Sequence, residues 1–201
     1  HLVMEHHEGP PLRTVFKAFK ARRVNLVSGP IGRVLSDKGN MALISEHADS
    51  DDYTAAERAF IERHVPWTRR LLPMRTTYRG RGIRLPDDLP GRREEFVLKK
   101  SCSVGGSDVL VGRYRSDAEW RGDLARAARE EDWIVQEHLE TVPCCFQAGE
   151  RGAAIHDLVW GLFAFGEHFG GAMLRMQPRG GTGVVNATQG ARVGVCLELE
   201  G

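Results

Sequence analysis

FVLKKSCSVGGSDVLVG (Phe96 to Gly112) decides the reading of this chain, together with WIVQEHLE (Trp133 to Glu140) one helix later. Phe96-Val97-Leu98 is an apolar run closed by Lys99, and Val109-Leu110-Val111 is a second run. The polar loop between them, Ser101 to Ser107, carries Gly105 and Gly106, so the two runs read as a hairpin. A lysine closing a strand supplies a compact positive charge. A glycine loop lets backbone N–H groups approach anionic oxygens. Trp133-Ile134-Val135 reads as a third strand, and its end at Gln136-Glu137 offers a backbone edge to a flat, hydrogen-bonding group. Charge, loop and edge together suit a triphosphate held between two strand layers.

The surrounding chain supplies the frame. Ser116-Asp117-Ala118-Glu119 is a capping box, and the helix it starts carries Trp120, Leu124, Ala127 and Ala128 on one face. Upstream, Leu12, Val15, Phe16 and Phe19 predict an amphipathic helix over 11–22. Val24 to Val27 reads as a short strand stopped by Ser28-Gly29-Pro30. Met41, Leu43 and Ile44 predict a helix just after Lys38. Thr54 to Glu57 is another capping box, for a helix through His64 that Pro66 ends. Residues 70–95 give weak strand signals at Thr76 to Tyr78 and at Ile83. From Ala153 the chain reads as sheet: Leu158 to Phe165 outward, a turn at Gly170-Gly171, and a return over Ala172 to Met176. A turn at Arg179 to Gly183, then Val184-Val185-Asn186, and a further turn at Gly190 complete it. The class is α+β, without the βαβ alternation of a doubly wound sheet. Neither GxGxxG nor GxxxxGK[ST] occurs.

Composition narrows the partners. The 201 residues are 41% hydrophobic and 27% charged, enough for one core or for two lobes sharing a cleft. The net charge of +1 provides no large field for nucleic acid or a membrane surface. No apolar run approaches the roughly 20 residues of a membrane helix. The opening HLVMEHHEGPP lacks the pattern of a signal peptide. Cys102, Cys144, Cys145 and Cys196 have no CxxC spacing, which reads as a reducing, cytoplasmic setting. Cys102 beside Lys100 reads as a thiolate nucleophile or, more plainly, as a small loop residue. Glu5, His6 and His7 read as a metal cluster or, more plainly, as a mobile terminal cluster. A chain that opens on His1 and stops on CLELEG without an ending signal is expected to be part of a longer one.

Lys38, Lys99, the loop Ser101 to Ser107, Gln136-Glu137, Asp157, Arg175 and Asn186 follow one another in an order that resembles the ATP-grasp superfamily. More narrowly, the chain resembles the circularly permuted ATP-grasp proteins related to glutathionylspermidine synthetase. The motifs are LSDKGNMALI (35–44), ERAFIERHVPWTR (57–69), the opening span, AEWRGDLARAAREEDWIVQEHLE (118–140) and FGGAMLRMQPRGGTGVVNATQGA (169–191). They cover nearly all of residues 24–191. The resemblance implies two α+β lobes with ATP between them. It divides the chain into an N-terminal part of the core (1–68), a lid lobe with the glycine loop (69–136) and a C-terminal core lobe with a metal site (137–201).

The resemblance also implies a ligase-type reaction. ATP phosphorylates a small-molecule or peptide carboxylate, and an amine or thiol attacks the acylphosphate. Phosphoryl transfer of this kind is mostly positioning and charge neutralisation. By the resemblance, Lys99 contacts the α- and β-phosphates and Lys38 is a second nucleotide lysine. Ser101, Ser103, Gly105, Gly106 and Ser107 belong to the loop that closes on the phosphates. Gln136, Glu137 and Leu139 form the hinge at adenine, largely through backbone groups. Asp157 and Asn186 are the Mg2+ ligands, hard oxygens as that ion requires. Arg175 is the catalytic arginine, stabilising charge on the transferring group. Plainer readings stand beside these: a surface lysine, an ordinary turn, a hairpin loop, a salt-bridged strand arginine.

The sequence departs from the family's pattern at three places. Lys100 stands where proline is usual after the lid lysine, and Pro143 where an acid often binds ribose. Val184 stands where many members carry glutamate two residues before the metal-binding asparagine. Glu167 or Glu198 is expected to substitute, or the site is a degenerate one that binds nucleotide, or nothing, and serves as a scaffold.

Overall fold

A computed structural model of the chain describes residues 10–26, 31–147 and 152–196. The Glu5-His6-His7 cluster, Val27, the Ser28-Gly29-Pro30 stop and Glu198 lie outside the described residues. The chain divides into two compact units, residues 1–37 and residues 38–201. In the first, the expected amphipathic helix is α1 (Pro10–Lys20), and α2 (Ile31–Leu35) follows. The expected strand at Val24 does not form: Val24 to Leu26 have no regular structure. Among the described residues no strand pairs with Val24 to Leu26, and an unpaired strand gains nothing.

The second unit is α+β with antiparallel sheets. The helix after Lys38 is α3 (Gly39–Glu46), and α4 (Ala55–His64) starts at the expected capping box, Thr54 and Glu57 each bonding the other's backbone N–H. Strands β1 (Thr68–Arg70), β4 (Phe96–Lys100), β5 (Val109–Val111) and β6 (Trp133–Glu137) form one sheet in the order β1-β6-β4-β5. The weak signals at 76–78 and 83 are a separate hairpin, β2 (Met74–Tyr78) with β3 (Arg81–Leu85). The second capping box starts α5 (Asp117–Glu130), which packs on β4 and β6.

Strand alternation sorts this sheet into two faces. Phe96 and Leu98 of β4, Leu110 of β5, and Trp133 and Val135 of β6 join Trp120, Leu124 and Ala127 of α5 in a dry core. Tyr78, Ile83 and Leu85 of the hairpin extend it. The indole N–H of Trp120 donates to Leu89 O (3.0 Å), so its burial leaves no polar group unpaired. The other face carries Val97, Lys99, Val109, Val111 and Gln136, brought level by the pairings Val97↔Val111, Val97↔Gln136 and Lys99↔Val109.

The second sheet has the order β10-β9-β8-β7, from β7 (Cys144–Gln147), β8 (Ala153–Phe165), β9 (His168–Pro178) and β10 (Arg192–Val195). The turn between β8 and β9 is Gly166-Glu167, not Gly170-Gly171. Gly166 takes the left-handed turn conformation (φ 62°). Gly170 lies inside β9, where the ring of Phe165 covers it so closely that a Cβ would come within 2.3 Å of a ring carbon. That glycine serves a close approach within a strand rather than a reversal. The turns at Arg179-Gly180 and at Gly190 (φ 88°) fall as expected.

Candidate functional site

Both sheets of the second unit turn a face to one cleft, about 590 Å3 in volume. Val97, Lys99, Val109, Val111 and Gln136 line it from the first sheet, Val159 and Arg175 from the second. Val159 and Arg175 stand opposite each other on β8 and β9, so both side chains share that face. The remaining walls are Lys38, the loop Ser103 to Gly106, Glu137 to Leu139, Thr141, and the segment Gly183 to Asn186.

The cleft therefore brings together Lys38, Lys99, Ser103, Gly105, Gly106, Gln136, Glu137, Leu139, Arg175 and Asn186, residues separated by as much as 148 positions in sequence (186 minus 38). Three expected residues stand outside its lining. Ser101 is tied into the sheet, its N–H donating to Asp132 O (2.7 Å). The Ser107 hydroxyl turns back to Val104 O (3.3 Å). Asp157 lines a neighbouring hollow with Thr141, Val185 and Arg179.

The two lysines have different surroundings. Lys99 Nζ donates to Gln136 Oε1, and among the described residues Lys99 has no carboxylate partner. Gln136 Nε2 donates in turn to Thr68 Oγ1 (2.8 Å), which donates to Pro66 O (2.8 Å). This buried relay fixes which end of the amide faces the lysine. Burial first, and the Lys38 charge second, hold the Lys99 ammonium below the ordinary lysine value of 10.5. Lys38 Nζ donates to Lys100 O (3.1 Å) and Ser103 O (2.7 Å), at the base of the glycine loop. Two cations near each other in a cleft, one of them desolvated, make a place that an anion relieves.

Alternation also explains Lys100. It points away from Lys99, to Glu130 (3.0 Å) and Asp132 (3.5 Å) at the end of α5. Lys100 therefore ties strand to helix and stays out of the cleft. Glu137 turns its carboxylate to the Trp67 N–H (2.8 Å) and towards Arg79 (3.5 Å). Its own N–H donates to Trp67 O, and that of His138 to Glu95 O. Burial, then the nearby Arg113 charge, pushes the His138 imidazole below its usual value.

For a metal ion, Asp157 and Asn186 supply one carboxylate and one amide oxygen. Asp157 Oδ1 accepts from the Thr141 hydroxyl (3.3 Å) and faces Arg179 Nε (3.7 Å). Asn186 Oδ1 accepts from the Thr188 N–H (3.0 Å). Among the described residues no group of three or more His, Cys, Asp and Glu side chains is placed to hold a metal. Glu167, expected as a further acid, adds no carboxylate to this pair. It sits at the β8–β9 turn, eight residues beyond Val159, which is about 25 Å along a strand. The donor set suits at most one Mg2+ that brings phosphate oxygens and waters with it, and falls short of two.

Sequence reasoning passed over the apolar walls, Val97, Val109, Val111 and Val159, although the period-2 pattern around Lys99 carried that signal. It also passed over Thr141 and Thr188, for which no local pattern exists. None of the four cysteines is in a disulfide, and Cys102 is an exposed loop residue. No helix of the described residues is long and apolar enough to cross a membrane. Comparison with protein-family models, curated proteins and solved structures finds no match to this chain.

Proposed function

We propose that residues 38–196 form an ATP-grasp nucleotide cleft serving an ATP-dependent carboxylate–amine ligase. One observation carries this: a single cleft gathers ten residues that the family resemblance nominates from five separate stretches of sequence. Valines on both sheets give an apolar slot suited to a base. Beyond the hydrogen-bonded edge at Glu137 and His138, Leu139 opens the hinge. Lys38, Lys99 and the glycine loop stand on the phosphate side. In this reaction class the substrate carboxylate oxygen bonds to the γ-phosphorus as ADP leaves. The amine nitrogen then bonds to the acyl carbon, losing a proton as phosphate leaves.

In that reading Lys99 neutralises phosphate charge at a desolvated position, where the interaction is stronger than in water. Arg175 holds the far wall, its guanidinium running over Gly161, whose Cβ position lies 3.6 Å from Nη2. A Mg2+ ion, held by Asp157 and Asn186, supplies charge neutralisation when bound. Carboxylate and amine substrates are the partners.

The test is calorimetric titration with ATP, with and without Mg2+, of the wild type and Lys99→Met. Wild type is expected to bind, and Lys99→Met to bind at least about tenfold more weakly, a loss of roughly 1.4 kcal/mol. Because folding lowers the Lys99 pKa, the unfolded state holds more protons between that lowered value and 10.5. Stability should therefore rise with pH across that window, and Lys99→Met should remove the rise. Absence of any ATP binding sinks the proposal.

Val184 favours a second reading, a nucleotide-binding scaffold without turnover. Its side chain packs on Gly106 where a carboxylate is usual: a Cβ on that glycine would lie 2.8 Å from Val184 Cγ1. Metal-independent binding, with no ADP released across a panel of carboxylates and amines, would select it.

A further inference from the structure

The glycine loop is fastened at two places. At its base, the Lys38 N–H donates to Ser101 O (3.1 Å), and Lys38 Nζ to Lys100 O and Ser103 O. At its tip, Gly105 (φ 71°) and Gly106 (φ 74°) are consecutive left-handed residues, a conformation that L side chains resist. Space makes the same demand. A Cβ on Gly105 would stand 3.1 Å from Thr188 Oγ1, and one on Gly106 would meet Val184. The tip is therefore seated against the segment that follows β9.

Thr188 makes the polar contact in that seat. Its hydroxyl donates to Gly105 O, 83 residues away. The same oxygen lies 3.0 Å from Asn186 Oδ1. One hydroxyl hydrogen faces two acceptors and serves one at a time. A donor or cation that engages Asn186 Oδ1 weakens that oxygen's claim on the hydroxyl. The hydrogen is then committed to Gly105, and the loop stays down.

We propose that Thr188 is the positioning residue that holds the glycine loop over the cleft, and that its shared hydroxyl couples loop closure to occupancy at Asn186. The consequence for the nucleotide rests on the reading proposed above; the latch itself does not. Thr188 is exposed, so replacing it does not disturb the core.

The test compares wild type, Thr188→Val and Thr188→Ser in two measurements. The first is amide hydrogen exchange of residues 103–107 in the nucleotide-free protein. One hydrogen bond of ordinary net worth corresponds to about tenfold. Thr188→Val, which keeps the shape and loses the donor, should exchange roughly tenfold faster in this loop alone. Thr188→Ser, which keeps the donor, should match wild type. The second is the release rate of a fluorescent ATP analogue, expected to be about tenfold faster in Thr188→Val and restored in Thr188→Ser. Equal loop exchange in wild type and Thr188→Val overturns the latch, as does a serine variant that behaves like valine. A loop that loosens in Thr188→Val while the wild type binds no analogue upholds the latch and removes the nucleotide reading.

Discussion

The two sheets of the second unit meet water in opposite ways. The sheet built from β1, β6, β4 and β5 is covered by α5 and by the β2–β3 hairpin, and Phe96, Leu98, Trp120 and Val135 are fully buried in it. The sheet built from β7 to β10 buries His156, Leu158 and Leu174, while Trp160, Leu162, Phe165 and Phe169 remain 58 to 71% exposed. Neither sheet alternates cleanly: β4 and β6 are buried along most of their length, and the far end of β8 is exposed on successive residues. What differs is the cover: a helix with a three-residue apolar stripe lies on the first, and among the described residues no helix of the second unit packs on the second as α5 does on the first. A covered sheet takes its stability from packing. An uncovered one rests on hydrogen bonds and cross-strand pairs, each worth a fraction of a kcal/mol.

The strongest way to break the comparison is to remove one large side chain from each sheet. Trp120→Ala should cost about 3–5 kcal/mol, since it empties a site with no solvent access. Trp160→Ala should stay within about 0.5 kcal/mol. Urea unfolding of the two variants checks this, and equal losses would mean that the second sheet is as tightly packed as the first.

A smaller effect sharpens the boundary between the sheets. Gly106→Ala adds a methyl where φ is 74° and where Val184 leaves 2.8 Å. It should cost about 1–2 kcal/mol and loosen the loop. Val184→Ala in the same chain should recover the steric part and leave the backbone part. Stability curves for the single and double variants separate the two.

The smallest effect lies at the start of α5. Ser116 accepts from the Glu119 N–H, and the Glu119 carboxylate accepts from the Ser116 N–H and hydroxyl. Those bonds to Ser116 lower the Glu119 pKa. Ser116→Ala should cost about 1 kcal/mol. A lowered carboxylate pKa contributes stability above its unfolded value of 4.5, and the contribution fades as pH falls through the folded one. The penalty of Ser116→Ala should therefore shrink in acid, as thermal unfolding at pH 7 and pH 3 would reveal.

Much of this protein was legible along the chain because the signals are local. Capping boxes at Thr54 and Ser116 fixed two helix starts. Two apolar runs around a Ser-Gly loop fixed the β4–β5 hairpin. Glycines at 180 and 190 fixed two turns. The errors arose where a local signal has two physical causes. Gly170 looked like a reversal and is a gap for the Phe165 ring. Val24 to Val27 looked like a strand, yet among the described residues no strand pairs with Val24 to Leu26.

The sequence by itself determined most of the helices and the β4–β5 hairpin, and nominated Lys38, Lys99 and the glycine loop for the proposed phosphate site, because charge and backbone conformation are carried residue by residue. Only the tertiary structure decided which of them share a cleft. It set Lys99 inward and Lys100 outward, left Asp157 beside Arg179, and brought Thr188 onto Gly105. Those outcomes depend on strand register and on contacts between residues up to 83 positions apart, which no local pattern encodes.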